Sequence, residues 1–416
     1  MRGMSRIPHG RPDDIDGRRA WLRLAACMVL ATLGSVGMWS IVVVMPAVQA
    51  EFGVGRGEAS APYTLTMLGF AAGNVLLGRI TDRTGVIPPL LGGIACLGLG
   101  YGCAAAVGAV TPFAILQGVI GFGAAATFSP LIADLSHWFR RRRGIAVAAA
   151  ATGNYVAGAV WPLAMQLTLP AHGWRVTYLV IAAVCVLLMA PLAALLRARP
   201  PPHPGGAEAA AQARRLSAAG LTPRSLQVLL AIAGLGCCVA MSMPQVHIVA
   251  YCVDLGFGVA RGSEMLALML AGGVVSRLAS GALADRFGAV RVLLAGSVLQ
   301  ALSLAAYIPF DGLASLYLVS AVFGLSQGGI VPSYALIVRE YLPAGEAGRR
   351  VGIVMTMTII GMAVGGWLSG AIYDLTGSYR AAFLNGIAWN VLNILIVLFI
   401  LFSVARGRPE PAVRAA

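Results

Sequence analysis

The sequence predicts an all-α membrane protein whose twelve transmembrane helices form two pseudo-symmetric six-helix bundles. Three observations carry that prediction. Only 11% of the 416 residues are charged and 58% are hydrophobic, whereas ordinary soluble domains carry about 25% charged residues. Twelve apolar runs of 19 or more residues follow one another, each long enough for a bilayer core. Short motifs of the first half return in the second at an offset of 203–208 positions. The 52 glycines also suit helices that pack closely in lipid.

The elements follow in order. Residues 1–20 are a polar, arginine-bearing tail, and the apolar run behind it is too long for a signal-peptide core, so it reads as an uncleaved first helix. The first bundle (21–196) holds spans at 22–47, 62–80, 88–107, 113–135, 144–169 and 178–196. A linker rich in Pro, Gly, Ala and Arg occupies 197–225. The second bundle (226–404) holds spans at 226–253, 263–284, 290–309, 313–338, 351–375 and 381–404, and 405–416 form a second tail. All 30 basic residues are arginine. With both tails in the cytoplasm, 25 arginines fall on the cytoplasmic side and four (Arg56, Arg175, Arg261, Arg380) on the other. That bias sets the orientation in a cell's inner, or plasma, membrane. It also makes the net charge of +14 a topology signal rather than a nucleic-acid footprint. The four arginines 140–143 read as one such anchor.

One arginine is left over. Arg277 lies inside the apolar run from Met265 to Ala284, with no acid in the same run. Snorkelling to the cytoplasmic surface would need about 10 Å, beyond an extended side chain, and this helix leans its side chains the other way. Its repeat counterpart, 203 positions earlier, is Asn74, polar but uncharged. An asymmetric charge on a symmetric scaffold points to a ligand of one polarity. Guanidinium offers a carboxylate a two-pronged donor.

His247 is the one histidine of five that lies well inside a span. Tyr251 and Asp254 follow it at i+4 and i+7 on one helix face, a titratable ladder toward the outer mouth. His247 and Arg277 lean toward each other across a depth gap of about 10 Å, room for a small anion. Further polar or aromatic residues of the expected cavity are Gln327, Tyr334, Asn154 and Tyr155. The seven cysteines show no metal-ligand spacing, so neither a metal nor a cofactor is expected, and no nucleophile cluster suggests an enzyme.

The repeated loops are Gly78-Arg79-Ile80-Thr81-Asp82-Arg83-Thr84-Gly85 and Gly281-Ala282-Leu283-Ala284-Asp285-Arg286-Phe287-Gly288. With the six-plus-six layout and central linker, they resemble the major facilitator superfamily over most of the chain. PQVHIVAYCVDLG (244–256), Arg277, WFRRRRG (138–144) and YDLTGSY (373–379) resemble bacterial monocarboxylate transporters and the related oxalate–formate antiporters. The resemblance implies a cytoplasmic latch made by Asp82, Arg83, Asp285 and Arg286, joined by Asp134 and Glu340. It implies a small organic anion held between Arg277 and His247, and a proton as co-substrate. No lysine is present, whereas the oxalate exchangers show one in the eleventh helix, which favours a monoanion over a dianion. The expected partners are that anion, a proton and the lipid bilayer, without nucleic acid, for a monomeric carrier. Anion exchange and proton-coupled drug efflux stand as the alternatives to symport.

Overall fold

The computed structural model describes residues 15–135, 138–139, 143–198, 221–342 and 347–406. Among them run fifteen helices. The first half contains α1 (Arg18–Gly34), α2 (Val36–Phe52), α3 (Arg56–Thr84), α4 (Ile87–Ala104), α5 (Val110–Ala125), α6 (Ser129–Leu135), α7 (Arg143–Met165) and α8 (Leu169–Ala194). The second contains α9 (Pro223–Asp254), α10 (Gly258–Phe287), α11 (Ala289–Ala306), α12 (Leu313–Gln327), α13 (Ile330–Tyr341), α14 (Ala347–Thr376) and α15 (Tyr379–Arg406). A backbone in lipid must satisfy its own polar groups, and helices do so within one segment.

Three expected spans are not single helices. The first is interrupted at Ser35, the fourth at residues 126–128 and the tenth at Gly328–Gly329. The last two breaks lie about 202 positions apart, within two residues of the loop-motif offset of 203, so they belong to the repeated architecture. The tenth breaks where the chain crosses α10 closely: a side chain on Gly328 would meet the Gly273 carbonyl at 2.1 Å. Helix starts also differ from the apolar runs. α3 begins at Arg56 and α14 at Ala347, because polar turns extend these helices beyond the hydrocarbon-length stretch.

Burial sorts the spans into inner and outer ones. In the first and seventh, 78% and 72% of the most apolar window is buried, against 33% and 22% in the sixth and twelfth. The first and seventh spans occupy matching places in the repeat and form the centre. Large apolar side chains on the outer helices, such as Leu187, Leu318 and Leu395, are exposed, as lipid-facing residues are. The repeat reaches into packing. Tyr101 meets Tyr178 edge-on at 4.9 Å, and Tyr307 stacks on Phe383 at 5.0 Å, 206 and 205 positions later. The two halves meet along two seams, α3 against α14 and α7 against α10.

Candidate functional site

Arg277 is buried on α10 at the seam with α7. Its Nε donates to the Gly328 carbonyl at 3.2 Å and its Nη1 to the Ala151 carbonyl at 2.7 Å. The guanidinium lies 4.2 Å from the centre of the Tyr155 ring. Among the described residues its polar contacts are with carbonyls and this aromatic face, and it forms no ion pair with a carboxylate. The tenth-span break explains the first bond: Gly328 follows the C-terminal end of α12, where helix carbonyls carry partial negative charge. The first half does the same with a neutral residue. Asn74 accepts a 2.5 Å bond from Ser129, the first residue after the fourth-span break, and donates to the Phe70 carbonyl at 2.9 Å. Tyr155 lies on Gly273, where a side chain would meet the ring at 2.4 Å. Gln327, beside Gly328, accepts from Gln245 at 2.6 Å, and its own amide nitrogen is buried without a partner.

His247 is buried in a second cluster. Its Nε2 donates to the Gly366 carbonyl at 2.8 Å, and its Nδ1 lies 3.3 Å from the Tyr379 hydroxyl. A carbonyl can only accept, so Nε2 carries hydrogen, and the neutral ring then accepts from Tyr379 at Nδ1. A proton on Nδ1 would turn the Tyr379 hydroxyl from donor to acceptor. Tyr251 joins through rings, 5.3 Å from Tyr379 and 5.9 Å from Phe383. Asp254 binds Arg56 of the opposite half at 2.8 and 3.0 Å. The guanidinium of Arg56 is 5.0 Å from the Tyr373 ring and 5.8 Å from that of Tyr379. Asp374 accepts from the backbone N–H groups of Arg56 and Gly57, both at 2.7 Å, capping the start of α3.

These contacts close the arginine-poor end of the seam. Thr64 donates to the Ala363 carbonyl at 3.0 Å and Gln166 to Ser263 at 3.0 Å, again between halves. At the arginine-rich end, Arg83, Asp285 and Arg286 are exposed, and Arg286 sits 5.4 Å from its neighbour Phe287. The Asp82 side chain and residues 140–142 lie outside the described residues. Asp134 binds Arg23 of α1 at 2.6 and 2.9 Å, within its own half, and Arg23 also donates to the Leu196 carbonyl. Glu340 is half-buried near the end of α13.

The expected cavity residues therefore divide. Tyr155 and Arg277 are in direct contact, with Gln327 next in sequence to Arg277's carbonyl partner. Asn154 receives the indole N–H of Trp39 at 3.0 Å, and Tyr334 donates to Asn393 at 2.7 Å, so both have polar partners within their own half. Arg277 and His247 do not touch in this conformation and bind different helices. Sequence reasoning missed Arg56, Tyr379 and Asp374. Arg56 was counted among the loop arginines, though Arg56 starts a helix and is buried. Tyr379 and Asp374 both lie in the YDLTGSY stretch, but nothing in their spacing ties them to His247 or Arg56.

A family model described as Major Facilitator Superfamily matches residues 27–280 and 253–416. The chain is 28% identical to monocarboxylate transporter 13 of Bos taurus, covering 98% of this chain and 96% of that one. It is 29% identical to monocarboxylate transporter 11 of Mus musculus, with 92% and 86% covered. A bacterial homolog of the human lysosomal transporter Spinster, crystallised in an inward-facing and occupied conformation, matches with TM-score 0.67. That alignment covers 96% of this chain and 97% of the other at 13% identity, a likeness of fold.

Proposed function

The chain belongs to the Major Facilitator Superfamily, and on that premise we propose that it carries a small monocarboxylate, such as lactate or pyruvate, together with a proton. One observation carries the reading. Arg277 is a buried cation with no carboxylate of its own among the described residues, held at the seam where two halves must separate and rejoin. A permanent charge costs at least about 2.5–3.5 kcal/mol in a membrane helix. The two carbonyls and the ring hold the guanidinium in place and leave it N–H donors for a ligand. A 4 Å ion pair contributes about 4 kcal/mol at an effective dielectric of 20, so a carboxylate is its most favourable partner. The likeness to two animal monocarboxylate transporters supports the same substrate class.

The proton enters at the other cluster. With the chain in an inner or plasma membrane and both tails in the cytoplasm, the arginine-poor end faces outward. Protonating Asp254 weakens its hold on Arg56 and frees the outer mouth, while Tyr373 and Tyr379 remain over the guanidinium and Asp374 keeps the start of α3 capped. A proton admitted through that mouth then binds His247 at Nδ1, and the Tyr379 hydroxyl turns to accept from it. The anion reaches Arg277, the outer contacts reform, and the two halves rock about the site. The loop motifs serve as the cytoplasmic latch of the opposite state.

The lack of an acidic partner for Arg277 among the described residues also favours a second reading, obligate exchange of organic anions, because an empty carrier would have to occlude an unneutralised cation. Uptake into empty proteoliposomes under an inward proton gradient separates the two. Symport predicts accumulation of labelled lactate without internal anion. Uptake that appears only with anion preloaded inside supports exchange instead.

A further inference from the structure

Two tyrosines of the first half lie against glycines of the second, and each glycine adjoins one of the two clusters. Tyr155 on α7 lies on Gly273 of α10, beside Arg277. Tyr63 on α3 lies on Gly366 of α14, where a side chain would approach the ring at 2.8 Å. The Gly366 carbonyl is the group that accepts from His247. Tyr63 and His247 therefore touch the backbone of one residue from opposite halves. Tyr63 thus brings the first half against the His247 cluster, as Tyr155 brings it against Arg277.

The pair differs in one respect. Tyr155 has the guanidinium over its ring, whereas the Tyr63 hydroxyl is fully buried with no hydrogen-bond partner. Leaving such a group unsatisfied costs about 1–3 kcal/mol, and a structural role would be filled as well by phenylalanine. Its neighbours Ser60 and Thr64 do find carbonyl partners, at Gly57 and Ala363. The oxygen at 63 is the exception on its own helix face.

We infer that the Tyr63 hydroxyl contacts the transported acid and selects substrates that carry a second oxygen besides the carboxylate. A phenol both donates and accepts, so it suits the hydroxyl of a hydroxy acid and the carbonyl of an oxo acid. It gives nothing to an unsubstituted alkyl acid. This inference rests on Arg277 holding the carboxylate.

The test compares lactate with propionate, the same acid without the hydroxyl, in proteoliposomes of wild type and Tyr63→Phe. Wild type is expected to favour lactate by about tenfold in kcat/KM, the scale of one buried hydrogen bond. Tyr63→Phe is expected to bring the ratio to within about twofold, with propionate uptake unchanged and the ligand-free Tm equal or higher. A ratio that survives the substitution overturns the inference, as does a parallel fall for both acids. If wild type carries neither acid and Arg277→Ala alters no acid-induced thermal shift, the monocarboxylate reading itself has failed, and this inference falls with it.

Discussion

Arg277 spends two of its five N–H groups on carbonyls and rests on an aromatic face. Lysine keeps the charge but loses the planar fork and the stacking surface. Arg277→Lys is therefore expected to raise the KM for lactate about tenfold or more, and Arg277→Ala to abolish lactate uptake, both measured in proteoliposomes. Wild-type kinetics in Arg277→Lys would show that only bulk positive charge matters. Gly273, one turn before Arg277, offers a second check at the edge of the same ring. Gly273→Ala places a methyl group 2.4 Å from Tyr155, so it should displace the ring and weaken uptake several-fold while leaving Arg277 in place. At this scale the sequence was informative about Arg277, because a charge in an apolar run is visible without a fold. It could not reveal Tyr63 or Arg56: one is an ordinary aromatic in a helix and the other an ordinary loop-side cation until tertiary contacts bury them.

The helices explain what holds the present conformation. α3, α9 and α14 meet at the arginine-poor end through Arg56, Asp254 and Asp374, all from different spans. Arg56→Ala removes the ion pair to Asp254 while leaving the capping of α3 by Asp374, so the mouth is expected to open more often. Ser60 is buried one turn deeper on α3, which makes a cysteine there a reporter. In a background without other cysteines, Ser60→Cys should react with an impermeant maleimide about tenfold faster once Arg56 is alanine. Equal labelling rates would mean that the ion pair does not close the mouth. Most spans were legible from hydropathy, since a bilayer demands long apolar runs. The breaks at 126–128 and Gly328–Gly329 escape hydropathy because both stretches stay largely apolar. The local signal is a proline four residues after each break begins, Pro130 and Pro332, which removes a helix donor and crowds the carbonyl four residues back.

At the scale of the molecule, two repeats build one asymmetric site. Both halves break the fourth span and set a polar residue of the second span against the break, Asn74 in one and Arg277 in the other. The repeat was legible from the loop motifs, and the packing of Tyr101 with Tyr178 and Tyr307 with Phe383 continues it into the interior. What the pattern of residues could not supply was the separation of Arg277 from His247, which depends on how α12 and α14 seat against α10 and α9. The expected tilt of the two side chains toward each other leaves them in different clusters here. The carboxylate bound at Arg277 remains the central claim. A thermal-shift titration of the purified protein with lactate tests it most directly, run beside Arg277→Ala. The account predicts a dose-dependent rise in Tm for the wild type and none for the variant. A rise of equal size in Arg277→Ala would contradict it.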